Sequence, residues 1–374
     1  MKRRGRLEAN LKNNHKDTEN IEKGLMGFGE KQRMSINMRD LIRSCFCKKT
    51  WVIFACLLFC AIHVKGQNDG NISMYWAVPT AYNPAIAGSD SAVHIAAFDR
   101  MQWVGVEGAP QTFYASADMP FVLMNKRFGA GVSVINDKAG LFATTIVGAQ
   151  GSYSRRVKGG RLAIGIQAGM VNQAFKGGDI YIPDGDAWEP GDDMLPRGDV
   201  SGMSLDLGFG AFYERPIKLN GEEIKALEDC SWYVGLSAMH LNKAEIDLEE
   251  YAYSQQERTY YFLAGCNIPV SRTLFIVQPS VLVRTIGQAT SAELTMRATY
   301  DHRFWGGVSY RHDDAVVLMV GADIQSIRIG YSYDIGTSAL AKASNGSHEV
   351  LVTYNLKLDL DKNKRRPTKS IRIL

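Results

Sequence analysis

Between about residue 91 and residue 358 the chain alternates apolar with small or polar residues, and this constrains its fold more than any other feature. Successive side chains of an extended backbone point to opposite faces, so period-two alternation marks strands with one apolar face. Within 161–171, Leu162, Ile164, Ile166, Ala168 and Met170 fall on one face, and Ala163, Gly165, Gln167 and Gly169 on the other. Within 292–300, Ala292, Leu294, Met296, Ala298 and Tyr300 oppose Glu293, Thr295, Arg297 and Thr299. The stretches 204–213, 327–335 and 350–358 repeat the pattern. No window after residue 67 sustains the 3.6-residue apolar spacing of a helix.

A soluble sandwich also alternates, but three features point to a transmembrane barrel. The strands run to about ten residues, beyond the five or six usual in soluble sheets. Aromatics recur near the ends of the apolar face, as in an interfacial girdle. The opposite face carries Gly, Ser, Thr and scattered charge, which suits a hydrated lumen. Fourteen strands are expected, at roughly 91–103, 111–121, 127–136, 142–156, 161–174, 201–216, 231–242, 259–269, 273–285, 290–301, 304–311, 315–325, 327–336 and 346–358. An even count puts both barrel termini on the periplasmic side. The two longest connections, 175–200 and 243–258, are then external, whereas 157–160, 270–272, 302–303 and 325–326 are short and periplasmic. Only 217–230 is long for its side. The expected fold is all-β: an antiparallel up-and-down transmembrane barrel of about 14 strands over 91–358, in contact with outer-membrane lipid.

Residues 51–64, WVIFACLLFCAIHV, form the only long apolar run. It is shorter than the roughly 20 residues that span a bilayer. Arg39, Arg43, Lys48 and Lys49 precede it, and Val64-Lys65-Gly66 follows. That order is the basic, apolar and small-residue sequence of an export leader. Residues 34–66 are therefore expected to be a signal peptide cleaved between Gly66 and Gln67. Residues 1–33, polar and without apolar periodicity, read as an over-extended N-terminus, with translation starting at Met34 or Met38. Residues 67–90 read as a short N-terminal periplasmic segment, and 359–374 as a basic periplasmic tail. Four of the six cysteines leave with the leader; Cys230 and Cys266 remain, and the strand register expected for them disfavours a disulfide.

Charge is unevenly spread. Residues 1–66 hold 14 basic against 6 acidic side chains, and 357–374 hold 7 against 2. The middle, 67–356, holds 22 against 31 and is acidic, so it offers no electrostatic footprint for nucleic acid. No catalytic, cofactor-binding or metal-binding residue is assigned. CxxC, HExxH and GxSxG are absent, and His94, His240, His302, His312 and His348 are scattered singly. The acidic 175–200 loop lacks the EF-hand order and reads as a solvated loop.

Four segments after the leader are distinctive: YNPAIAG (82–88), DRMQWVGVEGAPQTFYASADMPF (99–121), FGAGVSVINDKAGLF (128–142) and GSYSRRV (151–157). The most specific is Arg100-x-Gln102-Trp103-x-Gly105-x-x-Gly108-x-Pro110-x-Thr112, together with Tyr82, Asn83, Pro84 and Gly88. In order and spacing these resemble the PorP/SprF family of type IX secretion system membrane proteins of the Bacteroidetes. The likeness extends more weakly to about residue 358. The resemblance implies an integral outer-membrane barrel that is not an enzyme. It would assist secretion or surface anchoring of a large adhesin, of the kind used in gliding and adhesion. Implied partners are the adhesin's C-terminal sorting domain, other type IX components and a periplasmic peptidoglycan-binding protein. The alternative is an outer-membrane transport barrel for a small solute. The motif residues themselves read as structural. Gly105, Gly108 and Pro110 punctuate the first external loop, Asn83-Pro84 initiates a turn before the first strand, and Trp103 suits an interfacial position.

Overall fold

Alternation over so many consecutive segments leaves one way to satisfy every backbone group while keeping one face apolar: a sheet closed on itself. The computed structural model describes residues 70–176, 199–216, 230–249, 252–270, 273–337 and 343–358. The strands are β1 Ala92–Met101, β2 Gln111–Leu123, β3 Lys126–Ala139, β4 Phe142–Val157, β5 Gly160–Lys176, β6 Asp199–Pro216, β7 Ser231–Met239, β8 Glu245–Glu249, β9 Ala252–Gln255, β10 Thr259–Pro269, β11 Phe275–Ile286, β12 Ala289–Tyr300, β13 Phe304–Arg311, β14 Ala315–Ile324, β15 Ile327–Gly336 and β16 Ser347–Lys357. All but β8 and β9 form one closed antiparallel barrel of 14 strands, sealed by β1 pairing with β16. Each barrel strand lies at one of the 14 expected positions. The segment 243–258, read as a plain loop, contains the small hairpin β8–β9.

The apolar faces named above point outward. Ile166 is 63% exposed, Met296 55% and Val320 60%, whereas Thr295 and Glu349, on inward faces, are 1% and 0% exposed. Outward leucine, isoleucine and aromatic side chains without a protein neighbour match hydrocarbon, not water. Outer aromatic pairs meet across neighbouring strands near the rim, as in Phe121–Phe128 and Phe275–Tyr300.

The two ends differ. At one end lie the connections 102–110, 177–198 and 240–258; we term it the loop end. At the other, 124–125, 158–159, 301–303 and 325–326 are tight, with positive φ at Asn125, Lys158, Asp301 and Gln325; this is the turn end. β1 begins and β16 finishes at the turn end, where the Leu358 N–H donates to the Ser91 carbonyl at 2.7 Å.

The lumen corrects two expectations. Residues 70–90 are not a free periplasmic segment. They thread the barrel from the loop end, where Asn71 meets Asp314, to the turn end at Ser91. Three short 3-10 turns, Tyr75–Ala77, Pro79–Ala81 and Pro84–Ile86, shape the segment. Met74, Tyr75, Val78, Tyr82, Ala85 and Ile86 are buried in one cluster with Phe98, Tyr114, Tyr261, Leu263, Trp305 and Met319 of the wall. The small inward residues, read as a hydrated surface, instead make room for this segment. A Cβ on Gly165 would lie 2.4 Å from the Ala85 nitrogen, and one on Gly129 would lie 2.0 Å from the Ala87 carbonyl oxygen. Both positions need glycine because another backbone passes against them.

Cys230 and Cys266 are buried and form no disulfide. Ser231 pairs with Asn267, so Cys266 faces Trp232 in the ladder. The expected signal peptide, the expected cleavage site Gly66–Gln67, the tail 359–374 and most of the acidic 175–200 loop lie outside the described residues.

Candidate functional site

The site is the luminal segment and the polar wall that holds it. An isolated segment of this length, with three single 3-10 turns, has no stable conformation of its own, so its geometry must come from the wall. The wall supplies it through side chains on inward strand faces.

At the loop end the segment enters a buried charged cluster. Arg100 on β1 donates from Nη2 to Asp334 Oδ2 at 2.7 Å and from Nη1 to Ser73 Oγ at 2.7 Å. Glu349 on β16 sits directly opposite Arg100 in the strand register. Its two carboxylate oxygens accept the Ser73 and Met74 backbone N–H groups at 2.8 and 2.9 Å. Ser73 Oγ also lies within hydrogen-bond distance of both Asp334 carboxylate oxygens. Arg311 pairs with Glu293 and Asp314 at 2.9 Å each. Asn71 donates to Asp314 and accepts from Arg284. Asp314, three acidic strand residues (Glu293, Asp334 and Glu349) and three arginines thus share one network that the segment completes. Such charges persist in a low dielectric only when paired and fully hydrogen-bonded.

Through mid-lumen the contacts become apolar and neutral. Tyr75 OH lies 2.8 Å from Ser280 Oγ, and Tyr82 packs edge-on against Tyr75 and Tyr261. Burial pushes the phenols of Tyr75 and Tyr82 up, so both remain protonated at neutral pH. Toward the turn end the segment's carbonyls are taken in turn: Thr80 by Gln150, Tyr82 by Ser237 and Ala87 by Ser152. The Gly88 N–H donates to Asp118 Oδ1 at 3.0 Å.

The motif residues divide between the two ends. Asn83 is 1% exposed and is the N-cap of the Pro84–Ile86 turn, with Oδ1 accepting the Ala85 N–H at 2.9 Å. Its Nδ2 donates to the Ala211 carbonyl of β6 at 3.0 Å and the Leu236 carbonyl of β7 at 3.2 Å. It therefore pins the segment to two neighbouring strands from inside, more than a turn initiator before the first strand would do. Pro84 supplies the fixed φ at the first turn position, and Gly88 has φ +62° where the chain bends beneath Gly129. At the loop end, Thr112 is buried and donates to Asp137 at 2.5 Å. The Gln102 N–H donates to the Pro110 carbonyl, and the Gly140 N–H to the Gly108 carbonyl. Gly105 and Gly108 have φ +97° and +68°. Trp103 lies in the loop after β1 with φ 49°, its N–H donating to Ser347 Oγ at 3.1 Å. Arg100, Asn83 and Gly88 contact the luminal segment or belong to it; Trp103, Gly105, Gly108 and Pro110 shape the first loop.

Sequence reasoning did not single out Ser73, Asp334 or Glu349. The available signal was charge on the polar face of strands at their loop ends, where Glu293, Arg311, Asp334 and Glu349 all fall. Among the described residues no group of three or more His, Cys, Asp or Glu is placed to hold a metal ion.

Solved structures with similar folds include the Acinetobacter baumannii outer membrane protein Omp33, at 9% identity, covering 72% of this chain and 100% of that one with a TM-score of 0.39. Others are a deletion mutant of the TodX monoaromatic hydrocarbon channel, at 10% identity, 74% and 93% coverage and TM-score 0.38, and the translocator domain of the autotransporter NalP from Neisseria meningitidis, at 10%, 71% and 88% with TM-score 0.37. No curated protein sequence matches the chain significantly. The family model for the type IX secretion system membrane protein PorP/SprF matches residues 64–354. With a closed barrel and a lipid-facing apolar exterior, this chain is an integral outer-membrane protein, and it belongs to the PorP/SprF family of type IX secretion system membrane proteins.

Proposed function

We propose that this barrel assists secretion or surface anchoring of a large adhesin by the type IX system. In this reading it is not an enzyme. It receives the adhesin's C-terminal sorting domain, works with other type IX components and engages a periplasmic peptidoglycan-binding protein. The observation that carries the reading is the luminal segment, tied to the wall at both ends. A barrel filled in this way suits a fixed platform whose rims and loops dock proteins better than a conduit for a folded or extended chain. Affinity isolation of the barrel from native membranes tests it. Recovery of an adhesin carrying a C-terminal sorting domain is expected, and deletion of the barrel should remove that adhesin from the cell surface. Recovery of no type IX substrate or component would overturn the reading.

A second reading, a transport barrel for a small solute, draws on the same segment, because such barrels need a plug. It also requires a path, and here the path opens only if the segment moves. A catabolic operon around the gene would favour it; a neighbouring gene for a giant repetitive adhesin favours the first reading.

A further inference from the structure

Beneath the middle of the luminal segment, toward the turn end, a cavity remains between Trp76 and the walls of β1, β7, β10–β12, β15 and β16. Arg297 of β12 lines it and is 7% exposed. Its guanidinium lies over the Trp76 ring, with Cζ 3.6 Å from the centroid. Among the described residues Arg297 has no carboxylate partner and no hydrogen bond; the stack on Trp76 is its direct contact. The neighbouring guanidinium does not share this state. Arg328, with Cζ 5.5 Å from the same ring, donates from Nε and Nη2 to the two oxygens of Asp323 at 2.6 and 2.7 Å. The other acidic groups around the cavity are also engaged: Asp118 accepts from Gly88, and Asp90 meets His94. The cavity is therefore left with one uncompensated cation.

A buried guanidinium is costly to leave without an anionic partner, because the low dielectric removes its hydration. Stacking on an indole holds the plane of the group and satisfies its face, but none of its N–H donors. Those donors lie along the edge, in the fork geometry that matches the two oxygens of a carboxylate. We propose that this cavity is a binding site for a single carboxylate group, held by the edge of Arg297 on the Trp76 platform. Tyr233, Asn267 and Gln278 line the same cavity and offer neutral hydrogen-bonding groups around it. One unpaired positive charge matches a monoanion and not a phosphate dianion. The carboxylate can belong to a free small acid or to the end of a peptide entering from the turn end. This site is independent of the adhesin reading, since it concerns what the lumen holds and not which protein docks at the rim.

The test uses the purified full-length mature barrel in detergent, with formate, an acetylated tetrapeptide bearing a free C-terminus, the same peptide as its amide, and inorganic phosphate as probes. Binding is read by saturation-transfer NMR and by the rise in unfolding temperature. Formate and the free-acid peptide are expected to bind and compete, and the amide is expected not to. Arg297→Gln should weaken both about tenfold or more. A peptide that binds more tightly than formate identifies a peptide terminus as the source; equal binding identifies a free acid. Arg297→Lys keeps the charge without the fork and should bind several-fold more weakly than wild type, which covers the case in which Arg297→Gln does not assemble. Heat-modifiable migration in gels reports folding of each variant. No saturation by either carboxylate, unchanged binding in both Arg297 variants, or phosphate binding more tightly than formate would each overturn the proposal.

Discussion

Arg100 and Asp334 form a buried ion pair, 2.7 Å from Nη2 to Oδ2, that bridges β1 and β15 across the strand lying between them. That intervening strand, β16, contributes Glu349, whose carboxylate holds the backbone of Ser73 and Met74. The seam where the first and last strands close the barrel is therefore also where the luminal segment is anchored. Barrel closure and lumen filling share the same charges.

Replacing Arg100 by Met should expose this coupling. Asp334 and Glu349 would be left close together and buried, Glu349 without its Arg100 partner and Asp334 with Arg311, 3.5 Å away, as the remaining cation. Breaking a buried pair from one side costs about 3–5 kcal/mol. The unfolding temperature and the temperature of heat-modifiable migration should both fall, and the segment should become sensitive to protease. A change no larger than that of an exposed pair, below about 1 kcal/mol, would show that the cluster is solvated.

Gly165 and Gly151 face different surroundings, and substitution should separate them. A Cβ at Gly165 meets the backbone of Pro84 and Ala85 at 2.4–2.6 Å, whereas one at Gly151 has nothing within 4 Å. Gly165→Ala should push the segment off the wall, at about 1–3 kcal/mol, and raise its cleavage by protease while the barrel stays folded. Gly151→Ala should behave as wild type. Equal protease resistance in both would contradict the packing described above.

Asn83→Ala removes three hydrogen bonds at once, two to strand carbonyls and one within the turn. The partly buried carbonyls of Ala211 and Leu236 lose a donor, so about 1–3 kcal/mol is expected. Thermal unfolding of the purified variant measures it. Asn83→Asp places a carboxylate against the same carbonyls and should be worse than Ala.

Glu107, exposed in the 102–110 connection at the loop end, makes the orientation testable. Barrels of this class place their longer loops outside the cell. Glu107→Cys should then react with a membrane-impermeant maleimide on intact cells. Met124→Cys, in a tight turn at the other end and 87% exposed, should react only after the cells are broken. The opposite pattern would invert the barrel.

Alkylation of denatured protein without reductant should place two labels on the mature chain, one each at Cys230 and Cys266, which form no disulfide. This count rests on the proposed cleavage after Gly66, which would take the other four cysteines with the leader. Six labels would mean the leader is retained, and none would mean a disulfide.

The strands and their outward faces were legible from the sequence alone, because alternation is a local property. Each residue's side is set by its neighbours in the chain, and lipid accepts any apolar side chain placed there. Leu162, Ile164, Ile166 and Met170 could thus be assigned to one face of β5 with no knowledge of what lay across the barrel. Strand number and loop lengths then implied closure. Residues 70–90 carry no such code. Three isolated 3-10 turns have no period, and their burial depends on side chains more than 200 positions away, as Ser73 depends on Asp334 and Tyr75 on Ser280. Gly129 and Gly165 gave the same ambiguous signal, since a bare position on an inward face fits water as well as a passing backbone. Only the closed barrel decided between them: closure brings Arg100, Asp334 and Glu349 to one end of the lumen, and their charges, too costly to bury unpaired, are satisfied together with the segment that fills the space between them.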